Sequence, residues 1–409
     1  MPYNQIFEIR QPQLGSPTSI ALIPGGSNRL VAGFTNDAIV LFDTSNGNVL
    51  RSDNREDQES TINSVAWSPN GAQIATGSTD GNVQIWNAET LQLVRTIGAD
   101  NLSIRSVAWS PDSTRVVSGS GDGHTVIWNA ADGQHIRTLG EETDDHQSEE
   151  PEASILVVAW RPNGQDIETS AEDGTTYAWG VNQPPGEELL SSTGNVHQPD
   201  TMSITYNTDG SRIAKGNIDG GLFSQNPETE LDTINMVGHT ASVNSLCWSR
   251  DNSIIVSGSS DNTVRLWNAA TGANLQVLQG HTQAVTGVAI SPDNSYIFSA
   301  SRDGTIKIWE NIRIGASKTV NKMLTNRVIS SALDQGLVRQ PGYFGPTDPG
   351  GQEYQRAEKR WVDQGGLKGG KRSKTNKRNL KNKKKKTTKR NAKKTNKKRM
   401  NKRKTRRAY

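Results

Sequence analysis

The chain has 409 residues, of which 32% are hydrophobic, and carries a formal charge of +4 at pH 7. Its single cysteine, Cys247, excludes an intrachain disulfide and any metal cluster built on several thiolates. Met1-Pro2-Tyr3-Asn4-Gln5 lacks a basic-then-apolar leader, and no apolar run approaches the roughly 18 residues of a membrane span, so an intracellular soluble protein of nucleus or cytoplasm is expected.

The net charge conceals a division. Residues 368–409 hold 23 of the 46 Lys and Arg and no Asp or Glu. Residues 1–367 carry the other 23 basic residues against all 42 acidic ones, a formal −19. An acidic body is joined to a strongly basic tail.

In chain order, the first element is the alternating stretch Asn4-Gln5-Ile6-Phe7-Glu8-Ile9-Arg10. After it a spacing recurs. An Asp in a Gly- or Asn-containing turn is followed, six positions on, by a Trp that ends a short alternating strand. The pairs are Asp80 and Trp86, Asp122 and Trp128, Asp173 and Trp179, Asp261 and Trp267, and Asp303 and Trp309. A motif returning every 42 to 51 residues defines a repeat architecture.

Residues 243–278 show the unit most fully. Val243–Trp248 is a short apolar stretch, and Ile254–Ser257 a second strand closed by Ser-Ser-Asp-Asn. Thr263–Trp267 alternates as a half-buried strand does, and Leu275–Leu278 supplies a fourth. Four short strands with turn residues between them predict one antiparallel meander.

This unit resembles the WD-repeat (WD40) family, over roughly residues 5–310. Gly238-His239 and Gly280-His281 stand before the first strand, an Asp stands in the turn before the third, and a Trp ends the third. The resemblance implies an all-β fold: a seven-bladed β-propeller of four-stranded antiparallel blades around a channel. Counted at the Trp position, the copies fall at Phe42, Trp86, Trp128, Trp179, Gln225, Trp267 and Trp309. The fifth is eroded: Gln225 replaces the Trp, and Lys215 replaces the small hydroxyl residue found at Ser257 and Ser299. It is counted because the interval from Trp179 to Trp267 spans two repeats. The last copy lacks a fourth strand, so residues 5–10 are expected to close the ring, which removes open sheet edges.

His239, Ser257 and Asp261, and again His281, Ser299 and Asp303, have the residue types of a catalytic triad. The set appears twice at one spacing, whereas a catalytic site is needed once. In the family these residues form hydrogen-bond chains ending on an indole N–H, here those of Trp267 and Trp309. No catalytic, cofactor or metal site is expected. Other blades keep less of the set: Thr76 stands for the Ser in blade two, and Ala99 for the His in blade three. Trp67, Trp109, Trp160 and Trp248, on first strands, are expected in the core. No repeat end carries the Arg, two places beyond the residue after the Trp, that ubiquitin-ligase substrate receptors of the family carry. A glycine run at 118–123 lies between strands with no helix after it. Another at 365–371 is followed by Arg372 where a phosphate loop needs Ser or Thr.

Two inter-blade connections are acidic: residues 53–60, DNREDQES, and residues 141–152, with seven acids in twelve. They read as solvated loops, or as receivers of a basic partner, another protein or the chain's own tail. After residue 310 the repeat ends, and a partly helical extension is expected over 311–367, with amphipathic spacing from Lys318 to Gln335 and a short helix over 352–362.

The tail, 368–409, is too polar to offset its ordering entropy and is expected to be disordered. Lys and Arg without interleaved aromatics fit contact with phosphates and argue against base stacking. Lys383, Lys384, Lys385 and Lys386, with Lys397, Lys398 and Arg399, also fit nuclear import signals. The tail's composition resembles C-terminal tails of large DNA virus proteins, which implies a virion-associated role. The function expected is a non-enzymatic scaffold that binds other proteins through its faces, with a tail that binds nucleic acid or directs nuclear targeting. The alternatives are an adaptor whose tail only targets or solubilises, and a propeller enzyme.

Overall fold

The structure is a computed structural model that describes residues 3–26, 28–54, 60–99, 102–140, 153–184, 187–193 and 200–311. The helices expected after residue 311, the tail, residues 55–59 and the acidic connection 141–152 lie outside the described residues.

The described residues form seven four-stranded antiparallel sheets; six are paired in chain order, the meander that the repeat predicts, and the seventh takes its outer strand from the N-terminal segment. Blade one is Pro17–Leu22, Arg29–Phe34, Ile39–Asp43 and Val49–Asp53. Blades two and three begin at Ile62–Trp67 and Ile104–Trp109 and end at Leu93–Ala99 and His135–Leu139. Blade four runs from Ile155–Trp160 to Leu189–Thr193, and blade five from Thr201–Tyr206 to Ile234–Asn235. Blade six is Val243–Trp248, Ile254–Ser259, Val264–Asn268 and Asn274–Leu278. Its second strand runs two residues past the expected Ser257. Its third begins one residue after the expected Thr263, whose hydroxyl is turned to Asp261 Oδ1 at 2.7 Å.

Blade seven is Val285–Ile290, Tyr296–Ser301 and Thr305–Asn311, and its outer strand is Tyr3–Arg10, paired antiparallel with Thr305–Asn311. The strand begins two residues before the expected Gln5, because Tyr3 is an anchor. Tyr3 is 1% exposed, its hydroxyl donates to the Asn294 carbonyl at 2.7 Å, and its backbone exchanges two 2.7 Å bonds with the Gln276 amide.

Adjacent blades pack face to face. Small residues on second strands let the next first strand approach: a Cβ on Gly258 would lie 2.5 Å from a methyl of Val285 and 2.8 Å from one of Val288. Six inter-blade cores contain eight to fourteen buried apolar residues each. The core between blades four and five has three: Ala159, Ile204 and Ile213. Trp67, Trp109 and Trp160 are buried, whereas Trp248 is half-buried. No helix among the described residues is long and apolar enough to cross a membrane.

Candidate functional site: blade polar chains and the channel mouth

In blade six the Gly238-His239 segment lies over the turn that precedes the third strand. His239 Nδ1 lies 2.7 Å from Asp261 Oδ2, and Nε2 lies 2.7 Å from Ser257 Oγ. The Trp267 indole N–H donates to the same Oγ at 2.8 Å. The serine accepts from the indole, so its own proton goes to His239 Nε2, and the ring proton sits on Nδ1 facing the carboxylate. Blade seven repeats the chain: His281 to Asp303 at 2.8 Å, His281 to Ser299 at 2.8 Å and Trp309 to Ser299 at 2.9 Å. Burial pushes both imidazoles below their ordinary value, against the pull of Asp261 and Asp303. Burial raises the Asp303 carboxyl, but hydrogen bonds from Thr305, Thr282 and His281 outweigh it and hold the group at about 2. Each chain is therefore a neutral imidazole between a hydroxyl and a carboxylate, with every proton committed to a partner within the blade. The serine oxygen that would act as a nucleophile is buried and already accepts from an indole.

Blades two, three and four keep only the inner end: Trp86 to Thr76 at 3.0 Å, Trp128 to Ser118 at 2.8 Å and Trp179 to Thr169 at 3.0 Å. Blade five departs altogether. Lys215, at the position of Ser257, turns its ammonium to the Glu168 carboxylate of blade four in a close ion pair and lies 3.3 Å from Thr176 Oγ1. Tyr206 donates to the other Glu168 oxygen at 2.8 Å, and burial beside that carboxylate pushes its phenol far up. A cleft lined by Glu168, Lys215 and Gln225, with room for about one water molecule, opens at this junction. Sequence reading found Lys215 but not Glu168. The only signal for Glu168 was a charge at the strand position that carries Val256 in blade six.

The first strands line the channel. Their second residues are Thr18, Asn63, Arg105, Leu156, Met202, Asn244 and Thr286. Four of them tie one blade to the next by donating to the first carbonyl of the following strand. Thr18 reaches Ile62, Asn63 reaches Ile104 at 2.8 Å, Asn244 reaches Val285 at 2.8 Å and Thr286 reaches Pro17 at 2.8 Å. Arg105, Leu156 and Met202 lack the short polar group that makes this tie.

The acidic connection at 53–60 is described only at its ends, and Ser60 departs from the solvated reading. It is 5% exposed, with its hydroxyl 3.2 Å from that of Thr79. The tail residues Lys383–Lys386 and Lys397–Arg399 lie outside the described residues. Among the described residues no group of three or more His, Cys, Asp or Glu is placed to hold a metal ion.

Seven radial meanders, with polar residues spent on packing, define a repeat propeller. Comparison with known proteins agrees. The WD40 family (WD domain, G-beta repeat) matches residues 52–87, 91–129, 230–268 and 272–310, which contain the third strands of blades two, three, six and seven. The chain thus carries WD40 repeats and forms a seven-bladed propeller. Two relatives from Arabidopsis thaliana, described as "Cell division cycle 20.5, cofactor of APC complex" and "Cell division cycle 20.4, cofactor of APC complex", are 25% and 26% identical to it over 97 residues. That stretch is 24% of this chain and 22% of each relative, so the match spans about a fifth of the length of these curated proteins.

Proposed function

We propose that the protein is a non-enzymatic scaffold that holds other proteins on the faces of its propeller. The observation that carries this reading is the pair of equivalent hydrogen-bonded chains in blades six and seven. The His, Ser and Asp that could form a triad are closed into two equivalent chains that end on indoles. A buried polar network satisfied in this way fixes packing rather than performing chemistry. The short likeness to plant proteins described as cofactors of the APC complex supports an adaptor role of the same kind. The test is affinity capture with the immobilised full chain, quantified against a chain unfolded by heat. Specific retention of a small protein set is expected; identical retention by both would refute the reading.

A second role rests on the tail's composition, 23 Lys and Arg with no acidic residue over 368–409. It would hold a polyanion, nucleic acid included, without reading sequence. Mobility shifts with and without these residues test it. If about six to ten phosphates are neutralised, affinity falls by roughly 10³ to 10⁵ between about 50 and 200 mM salt. No shift by the full chain at low salt would leave the tail only a targeting or solubilising role.

A further inference from the structure

We propose that the channel mouth at blades four and five is the docking surface of the scaffold, and that it takes an extended segment of a protein partner bearing a Lys or Arg next to an aliphatic side chain. The inference deepens the scaffold reading and rests on it.

The ring of ties from the first strands is incomplete. Thr18, Asn63, Asn244 and Thr286 spend their polar groups on the neighbouring blade. At the same rung Leu156 and Met202 have nothing to spend, and both remain partly exposed. At the junction of blades four and five another strand makes the tie, which releases position 156 from that duty. The Thr201 carbonyl, which an Asn at position 156 would reach, is instead satisfied by the Ser170 hydroxyl at 2.6 Å. Ile218 joins them. It lies in the turn between the second and third strands of blade five, is 47% exposed, and its backbone bonds to the Asp200 carbonyl at 2.9 Å. Three aliphatic side chains therefore border one end of two neighbouring first strands, where four other blades present polar groups. Apolar surface left in the middle of a polar rim is what binding sites have in common.

The charge beside this patch selects the partner. Glu172 and Asp173, in the exposed turn of blade four, stand close enough to Asp200 to act on it. Burial and then these two carboxylates push the Asp200 carboxyl up. One guanidinium, that of Arg105, approaches the group, at 4.0 Å from Glu172. Among the described residues, three carboxylates against one cation leave an excess that an incoming ammonium or guanidinium relieves. An acidic segment would meet repulsion here, and a purely aliphatic one would leave the carboxylates desolvated.

The test uses the full chain, fluorescently labelled, on a synthetic array of short peptides that pairs each charged residue with aliphatic and polar neighbours. Acidic peptides held by residues 368–409 appear equally with every variant and drop out of the comparison. The unaltered chain should retain Lys- or Arg-aliphatic peptides. The double substitution L156N/M202N installs the side chain that blades two and six carry at this rung, and should weaken retention about tenfold, a change of about 1.4 kcal/mol, with an unchanged melting temperature. Ile218→Ser, at a half-exposed side chain whose backbone bond to Asp200 the change keeps, should act in the same direction. E172Q/D200N should remove the preference for the basic residue while keeping that for the aliphatic one. Equal retention by the unaltered and substituted chains would overturn the proposal, and so would an absence of basic-aliphatic peptides among those retained. Either failure alongside successful capture of proteins by the full chain would leave the scaffold standing and remove only this surface.

Discussion

The junction of blades four and five gives the sharpest quantitative test. Lys215 and Glu168 have side chains 6% and 9% exposed, and their ion pair stands where blade six carries Ser257 and Val256. Removing one partner of a buried pair strands the other charge, a loss of about 3–5 kcal/mol. Lys215→Ser, which installs the residue type of Ser257, should therefore destabilise the ring. Glu168 would keep only the Tyr206 hydroxyl at 2.8 Å. At roughly 2–4 °C per kcal/mol for domains approaching this size, the melting temperature should drop by roughly 6–20 °C. Glu168→Val, which installs the residue type of Val256, should cost a similar amount by stranding the ammonium. The double substitution should cost about 1 kcal/mol or less, because two buried charges are replaced together by residues the repeat already accommodates. Chemical denaturation of the four chains gives the coupling energy. A Lys215→Ser loss below about 1 kcal/mol, or a double variant as weak as the sum of the singles, would refute the view that the pair substitutes for a missing core.

Three other outcomes are expected. Deleting residues 1–12 removes the outer strand of blade seven with its buried Tyr3, and should lower the melting temperature by many degrees; an unchanged melt would mean that the strand does not hold the ring closed. Amide exchange should be slowest in blades six and seven, where the polar chains are complete, and even protection around the ring would count against them. Stability should fall as pH drops below about 6.5, the ordinary value for His239 and His281. Below it the unfolded chain takes up protons that the buried imidazoles resist, so unfolding gains. The variant H239Q/H281Q should flatten that limb. A second loss follows as pH falls from the ordinary 3.8 of Asp303 towards its folded value of about 2, because protonation removes the acceptor that Thr305, Thr282 and His281 use.

Much of this was legible in the chain. The six-residue step from Asp to Trp marks the turn and third strand of a blade, and its period sets the number of blades, because each meander must bury its faces against neighbours of the same kind. The polar chains were legible only through the family resemblance, which implies bonds among His239, Ser257, Asp261 and Trp267, residues that the structure brings together within one blade. Glu168 was not legible as the partner of Lys215, nor Asp200 as the carboxylate beside Glu172 and Asp173. These pairs join different blades, and strand alternation says which face a side chain takes but not which side chain of the next blade meets it.

The sequence by itself determined the meander and its sevenfold repetition, both local consequences of turn residues and two-residue alternation. Only the tertiary structure decided how the eroded fifth blade is held, which ties around the channel are broken, and that Tyr3 starts the closing strand. Each of these depends on the register between chain segments that meet only when the ring closes.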